Sequence, residues 1–311
     1  MNSNDRAIPN SNILFEPVDD HYGRRLALVF GNHAKDGVCP YAQAKRCYHC
    51  DIGFGEGVQF DSTMNIRRLQ WLQQYYASCW PGVAHLLIYN SGSTLNPREL
   101  SPKVCDRIIS FAKSLPKLRQ FSMDSREAFI TTKYVRHLAL ALGSGKRFGV
   151  ILGVESADER IRNKFLNKKM SGTAITKALI RFRQAWDGVE QAQRQQMADP
   201  VLLINLVIGS PGTNNQTVIT DALNTAHYAI KLAEEYQLPL DLNIHPYYPS
   251  RHSLQHYPDH PRASSQTLLE VVNELNKLKS ERVHFFIGLQ DENHDQDLEL
   301  RQNNERKYQT E

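Results

Sequence analysis

Three cysteines within one short segment, CPYAQAKRCYHC, have the clearest chemical potential in this sequence. They are Cys39, Cys47 and Cys50. A closed structural centre normally takes four protein ligands, for zinc and for iron–sulfur clusters alike. No fourth cysteine lies near these three, so they could hold three irons of a cluster and leave the fourth iron open. The spacing therefore predicts a metal centre at which chemistry can occur.

A zinc site is the alternative interpretation of the same segment. A neutral imidazole from His33 or His49 would complete it as the fourth ligand. The other two cysteines, Cys79 and Cys105, stand alone in apolar, helix-like stretches, where cysteine packs as a small hydrophobic residue.

Composition indicates a globular protein with a large core, because 41% of the 311 residues are hydrophobic. A net charge of +4 without a long basic run permits nucleic-acid binding but does not argue for it. The start, MNSNDRAIPNSN, lacks the features of a secretory signal, and no apolar run suits a membrane span. The cysteine pattern is unlike a disulfide framework. We therefore expect a cytoplasmic protein without a membrane partner.

Six β-rich apolar runs alternate with amphipathic stretches, a pattern typical of parallel strands connected by helices. The predicted strands are Leu26 to Gly31, His85 to Asn90, Leu118 to Met123, Phe148 to Val154, Val201 to Ile208 and Leu240 to Ile244. The predicted helices are Met64 to Ser78, Pro102 to Ser114, Glu127 to Leu142, Ala157 to Leu166, Gly172 to Gln196, Val218 to Tyr236 and Leu268 to Lys279. In such folds the loops that follow the strands build the site.

The fold class predicted is α/β, a partial (β/α)6 TIM-like barrel with a short C-terminal extension. We expect an N-terminal extension over residues 1–22 and the barrel over residues 23–265. A C-terminal helix and a further strand, Arg282 to Leu289, fall within residues 266–290. Residues 291–311 are mostly charged and amide side chains, which predicts a mobile tail.

The stretch from about residue 26 to 250 resembles radical S-adenosylmethionine (SAM) enzymes, which carry cysteines after the first strand of a partial (β/α)6 barrel. Their cysteines commonly occur as Cx3Cx2C, whereas this chain has Cx7Cx2C. The wider spacing is similar to the Elp3-like group. The segments YNSGSTLNPREL, MDSRE and GVESADERIRNKFLNKKM look most like the radical SAM subunit of archaeosine synthase.

The resemblance implies that Cys39, Cys47 and Cys50 ligate a [4Fe-4S] cluster whose fourth iron binds SAM. It implies reductive cleavage of SAM to a 5′-deoxyadenosyl radical that abstracts hydrogen from a substrate. The electron would come from a low-potential donor of the flavodoxin or ferredoxin type. Likeness to the archaeosine subunit further implies C–N bond cleavage on a lysine-modified 7-deazaguanine of tRNA, with a tRNA-binding partner subunit.

Asn90, Ser91, Gly92 and Ser93 follow the second strand, where the family usually has a Gly-Gly-Glu-like turn at the methionine amino group. Glycine permits close backbone approach, and the polar side chains offer acceptors to an ammonium. The motif's acidic residue is missing from this stretch. The alternative is an ordinary turn in which Ser91 or Ser93 caps a helix.

Glu155 and Ser156 follow the fourth strand, where the fold commonly contacts the ribose hydroxyls or the methionine moiety. In the alternative, Glu155 caps a helix or forms a salt bridge with Arg160 or Arg162. Either arginine could instead hold the SAM carboxylate, because the planar guanidinium suits bidentate contact, and of the two we select Arg162.

Ile208 and Gly209 end the fifth strand and resemble the apolar strand and glycine turn beside adenine in the family. A buried strand with a glycine turn is the plain alternative. Asp124, Ser125 and Arg126 follow the third strand and project from the same rim. Of these we select Asp124 as the residue that acts on SAM or substrate.

The loop HPYYPSRHSLQHYPDHP follows the sixth strand and predicts a substrate-side loop. Its histidines lack the acidic or thiolate partners of a metal motif, so we expect them to be solvated. They are His245, His252, His256 and His260.

Other functions compete with tRNA modification. A radical SAM enzyme could act on a small metabolite, or transfer a methyl group from SAM. A zinc or iron–sulfur protein without catalytic activity could instead bind nucleic acid through Lys45 and Arg46.

Overall fold

The computed structural model describes residues 15–50, 52–54, 58–249 and 251–288. Within them, eight strands form one sheet in chain order. The first pair is antiparallel and every later pair is parallel. The strands are β1 (Val18–Asp20), β2 (Gly23–Phe30), β3 (Val83–Asn90), β4 (Gln120–Ser125), β5 (Arg147–Glu155), β6 (Asp199–Ile208), β7 (Leu240–Pro246) and β8 (Val283–Ile287).

Helices follow the parallel strands and cover the outside of the sheet. They are α1 (Pro40–Gln43), α2 (Ser62–Tyr75), α3 (Pro102–Ser114), α4 (Thr132–Leu142), α5 (Gly172–Arg183), α6 (Gln191–Arg194), α7 (Val218–Glu235), α8 (Arg251–His256) and α9 (Ser265–Asn276). Capping side chains define several starts: Asp61 accepts from Met64 N and Ser264 accepts from Thr267 N. No helix in the described part of the chain is long and apolar enough to cross a bilayer.

The sheet curls into a nearly closed barrel with two apolar layers. Alternate strand residues face opposite sides, so Leu26, Leu28 and Phe30 of β2 pack under the helices. Ala27 and Val29 belong to a separate interior cluster. The β1–β2 turn meets the last strands at one end, because the Tyr22 hydroxyl donates to Asp241 Oδ1 at 3.1 Å and the rings of His21 and His284 stack 3.5 Å apart.

This architecture confirms the predicted fold class. The six predicted parallel strands are β2 to β7, and the added C-terminal strand is β8. Sequence reasoning missed β1, which has only three residues, none of them fully buried. Residues 1–14 and 289–311 lie outside the described residues, and with them most of the predicted N-terminal extension and the whole predicted tail.

Three predicted helices differ in extent. The stretch from Glu127 begins with a 3₁₀ turn, and α4 starts only at Thr132, after the cap Thr131. The stretch from Gly172 is interrupted around Gly188, whose φ of 64° is left-handed, so α5 and α6 are separate. The stretch from Ala157 forms a short π-helix, Ile161–Phe165.

Candidate functional site

A cavity of about 820 Å³ opens among the loops that follow the parallel strands and reaches into the barrel. All three clustered cysteines line it, which places the predicted metal ligands in the predicted site-building region. The sequence-predicted residues on its wall are Cys39, Cys47, Cys50, Asn90, Gly92, Ser93, Asp124 and Glu155.

The cysteine segment wraps around Gly53. A Cβ at Gly53 would lie 3.5 Å from the Cβ of Cys39 and 3.6 Å from the Sγ of Cys50. The Gly53 amide donates to Cys50 Sγ at 3.3 Å. Burial raises the pKa of Cys39 to about 11 and that of Cys50 to about 12. These two sites therefore favour neutral thiols until a metal ion supplies positive charge.

Arg126 brings a positive charge to the third cysteine. Its Nη1 donates to Cys47 Sγ at 3.3 Å, and its Nη2 donates to the Lys168 carbonyl at 2.7 Å. The guanidinium carbon lies 3.8 Å from the ring centroid of Tyr41. Arg126 therefore places a positive charge in direct contact with the sulfur of the third cysteine.

The donor set of the cavity suits an iron–sulfur cluster. All five cysteines are free thiols. Within the described residues, no three His, Cys, Asp or Glu side chains are grouped closely enough to hold a metal ion as they stand. Three soft thiol ligands on one wall, in a segment without a fourth, match the requirements of a cluster better than those of a closed zinc site.

His49, which the zinc alternative would use, faces Glu155 instead, with its Nε2 3.4 Å from Glu155 Oε1. The other histidine of that alternative, His33, is placed 2.9 Å from the Phe60 carbonyl through its Nδ1. Burial lowers the pKa of His49, which favours its neutral form.

Asn90 carries an unsatisfied polar group toward the cavity. Neither its Nδ2 nor its Oδ1 has a hydrogen-bond partner, although the residue is only 2% exposed. Leaving a buried amide unpaired costs about 1–3 kcal/mol, so such a group needs an explanation. A ligand with both donor and acceptor atoms at this point would satisfy it, as expected for the predicted SAM-binding turn.

Glu99 supplies a carboxylate beside this turn that sequence reasoning missed. Its Oε2 accepts from the Ser93 amide at 3.0 Å and from Asn32 Nδ2 at 3.2 Å. The Oγ of Ser93 accepts from the Arg126 amide at 3.2 Å and so does not cap a helix. Burial raises the pKa of Glu99, although these donors oppose the change. The turn and the loop after it are thus one hydrogen-bonded unit.

Gly92→Ala is expected to lower the free energy of unfolding by about 1–3 kcal/mol, because a Cβ at Gly92 would overlap the buried Glu99 Oε2. Gly82→Ala is the matched control, since a Cβ at Gly82 meets no atom within 4 Å. Urea unfolding of the two variants measures the difference. Equal stability of the two alanine variants would contradict the prediction.

Glu155 and Lys168 form a buried ion pair on the cavity wall, with Lys168 Nζ 2.7 Å from Glu155 Oε1. Burial would raise the pKa of Glu155, but the Lys168 ammonium and His49 hold that pKa well below its usual range. Gly153 makes room for the pair, because a Cβ there would lie 2.5 Å from Glu155 Oε1. The alternative pairing of Glu155 with Arg160 or Arg162 is absent from the described contacts.

Asp124 is half-buried on the same wall. Burial raises the pKa of its carboxyl to about 7, with the negative charges of Glu155 and Glu99 adding to the effect and Lys168 opposing it. A carboxyl that titrates near neutrality can both accept and donate a proton. The geometry therefore allows Asp124, which the sequence selected as a residue acting on SAM or substrate, an acid–base role.

Five predicted site residues are not part of the cavity wall: Ser91, Ser156, Arg162, Ile208 and Gly209. The Arg162 guanidinium is buried and donates to the Met170 carbonyl at 2.7 Å and to the Ser156 carbonyl at 2.5 Å. Ser156 Oγ donates to Asp221 at 2.7 Å, and Ile208 lies in the outer core. Their roles toward SAM stay predictions.

The other two of these five residues, Ser91 and Gly209, contact other parts of the chain through their carbonyl groups. The Ser91 carbonyl accepts from Asn32 Nδ2 at 2.7 Å. The Gly209 carbonyl lies 2.9 Å from His260 Nε2, so one histidine of the loop after β7 packs back on the barrel. His245, which lies near the end of β7, lines the cavity, as do Tyr247 and Tyr248 of the loop. The side chain of His252 lies outside the described residues.

The fold is shared with solved radical SAM proteins. An archaeal Elp3 from Methanocaldococcus infernus with an N-terminal deletion superposes with a TM-score of 0.51 at 12% identity, over 84% of this chain and 55% of that chain. A radical SAM methyltransferase from Sphaerobacter thermophilus superposes with a TM-score of 0.51 at 10% identity, over 85% of this chain and 66% of that chain. Streptococcus suis SuiB bound to S-adenosylmethionine superposes with a TM-score of 0.50 at 10% identity, over 84% of this chain and 49% of that chain.

These likenesses establish the fold and no finer relationship. The chain spans between about half and two thirds of the length of these three proteins. No model of a known protein family matches the sequence, and no curated protein matches it.

Proposed function

We propose that this chain is a radical SAM enzyme whose cavity holds a [4Fe-4S] cluster on Cys39, Cys47 and Cys50. One observation carries the proposal: the three cysteines and the unsatisfied amide of Asn90 line a single cavity in a fold shared with radical SAM proteins. When bound, the cluster and SAM would supply the radical that abstracts hydrogen from a substrate.

The chain's own residues would bind, orient and shield. Arg126 would bring its positive charge next to the cluster through its contact with Cys47, which would favour electron entry. The amide of Asn90 would orient the polar end of SAM through the two atoms that now lack partners. Glu155, held ionised by Lys168, would accept hydrogen bonds from hydroxyl groups.

Asp124 would move a proton, because its pKa of about 7 lets both forms exist at neutral pH. His245 near the end of β7 and the tyrosines that follow this strand also line the cavity. With substrate bound, these side chains would help to exclude water, which protects a reactive intermediate from side reactions.

The finer assignments stay predictions of the sequence resemblance. They are the Elp3-like or archaeosine-like branch, C–N bond cleavage on modified 7-deazaguanine of tRNA, a tRNA-binding partner, a flavodoxin- or ferredoxin-type electron donor and a cytoplasmic location. No contact on the described cavity wall favours tRNA over a small metabolite, and methyl transfer would start from the same site.

The test is anaerobic reconstitution with iron and sulfide, reduction with dithionite and addition of SAM, followed by quantification of 5′-deoxyadenosine. The wild type is expected to form it, whereas the combined Cys39→Ala, Cys47→Ala and Cys50→Ala variant is expected to form none. Cys79→Ala is the matched control and should retain activity, because Cys79 does not line the cavity. A wild type that holds an intact cluster yet neither binds nor cleaves SAM would refute the proposal.

A further inference from the structure

Arg25 lies on the wall of the same cavity, near the start of β2, whereas the cysteine segment follows the end of that strand. Phe30 is five positions after Arg25, which corresponds to roughly 17 Å along a strand. The side chain is buried, with 2% exposure. The cavity therefore has a cationic group well separated from the predicted metal end.

The Arg25 guanidinium is incompletely satisfied. Its Nη1 donates to Asn243 Oδ1 at 3.1 Å, and its plane covers the ring of Phe286 at 3.4 Å from the centroid. Its Nε has no hydrogen-bond partner. No described carboxylate forms an ion pair with it, although buried charges are normally paired. A negatively charged group at this point would complete the site.

Two carboxylates of the barrel near Arg25, Asp20 and Asp241, are already engaged. Asp20, which interacts electrostatically with Arg25, lies 2.7 Å from His85 Nδ1. Asp241 accepts from the Tyr22 hydroxyl at 3.1 Å and from Gln120 at 2.8 Å. Neither therefore serves as the direct partner of Arg25.

A second donor faces the cavity close to the guanidinium. Asn205 is half-buried on the wall, and its Oδ1 accepts from Asn243 Nδ2 at 3.0 Å. That bond orients the Asn205 amide so that its nitrogen can donate elsewhere. Arg25 Nε and Asn205 Nδ2 are thus hydrogen-bond donors without acceptors among the described residues, and Asn243 connects the two side chains.

We infer that Arg25 binds a carboxylate of the substrate at the end of the cavity remote from the cysteines. The inference rests on the proposed function, since it assigns the substrate class of the same site. Charge favours a carboxylate over a phosphate dianion: Arg25 offers one positive charge, while Lys168 is paired with Glu155 and Arg126 contacts Cys47. Aromatic side chains on the wall, Phe15 and Tyr89 among them, suit an apolar body between the carboxylate and the reacting carbon.

The test compares 3-phenylpropionate, its uncharged amide and phenyl phosphate as probes of the full-length protein. NMR of the arginine Nε–H groups reports the contact directly, and the Arg25 resonance is assigned by its absence from Arg25→Gln. The acid is expected to shift this resonance and to bind at least about tenfold more tightly than the amide, as a charge-assisted hydrogen bond requires.

Two variants keep the test independent of folding. Arg25→Gln is expected to abolish the preference for the acid over the amide. Arg24→Gln, which changes the exposed neighbouring arginine, should preserve it. Equal binding of acid and amide by the wild type, an unshifted Arg25 resonance, or tighter binding of phenyl phosphate would each overturn the inference. A shift of the resonance by SAM alone would also overturn it, because Arg25 would then belong to the cofactor site.

This binding assay is separate from SAM cleavage. If 5′-deoxyadenosine forms but the acid leaves the Arg25 resonance unchanged, the inference fails and the proposed function stands. If the acid binds at Arg25 but SAM is not cleaved, the carboxylate site stands and the proposed function fails.

Discussion

Lys168→Met is expected to lower the free energy of unfolding by about 3–5 kcal/mol, which is the usual cost of leaving a buried charge without its partner. Lys168 Nζ lies 2.7 Å from Glu155 Oε1, and both side chains are less than 10% exposed. The remaining neighbour, His49, is 3.4 Å away and favours its neutral form. Methionine keeps the length of the side chain, so the loss reports charge rather than volume.

Urea unfolding at neutral pH measures this loss against Lys169→Met, which changes the exposed neighbouring lysine. The double variant Lys168→Met with Glu155→Gln should recover part of the stability, because it removes the orphaned charge. A Lys168→Met protein as stable as the Lys169→Met control would show that the ion pair contributes little.

The same ion pair makes a pH-dependent contribution to the stability of the fold. The sign of this contribution follows from the lowered pKa of Glu155. A depressed carboxyl pKa stabilises the fold above the ordinary value of 4.5, and this contribution is lost as the pH falls through the folded-state pKa. The difference in stability between wild type and Lys168→Met should therefore shrink below about pH 4.5.

The sequence predicted the barrel because its strands are continuous apolar runs, and such runs need no knowledge of distant residues. It also placed the cysteine segment, Asn90 and Asp124 at one rim, because the segment lies in the loop after β2 and the other two lie near the ends of β3 and β4. These features depend on chain order and on the two-residue period of a strand.

Residues fixed by irregular backbone could not be predicted in the same way. Lys168 reaches Glu155 after a π-helix, Ile161–Phe165, in which the Leu166 amide bonds to the carbonyl of Ile161 five residues earlier. One wide turn changes which residues face the barrel. Arg162 accordingly binds backbone carbonyls, and Lys168, between two residues with positive φ, takes the position beside the site.

Contacts between side chains from different loops could not be predicted from local sequence patterns either. Glu99 joins the Asn90 turn from a later loop, and no local pattern indicates that its carboxylate folds back toward Ser93. Arg25 did leave a signal. In the strand GRRLALVF, Arg25 shares the face of Ala27 and Val29, so an arginine at an inward position indicated a polar barrel interior.

Asp124→Asn is expected to raise the free energy of unfolding at pH 8 by up to about 4 kcal/mol, because each unit of pKa shift corresponds to about 1.4 kcal/mol. The pKa of Asp124 is raised from 3.8 to about 7, so the folded protein holds a proton that the unfolded chain releases. Wild-type stability should thus fall between pH 3.8 and pH 7 and then level off. Asparagine has no charge to desolvate and removes this loss.

Chemical denaturation across this pH range separates the two proteins, with Asp187→Asn as the control at an exposed aspartate. The Asp124→Asn and wild-type curves should coincide near pH 4 and diverge toward pH 7, whereas the control should follow the wild type throughout. Parallel curves for Asp124→Asn and wild type would mean that Asp124 ionises normally. A stabilised variant that also loses substrate conversion would instead show that the chain retains a costly carboxyl because its proton is used in the reaction.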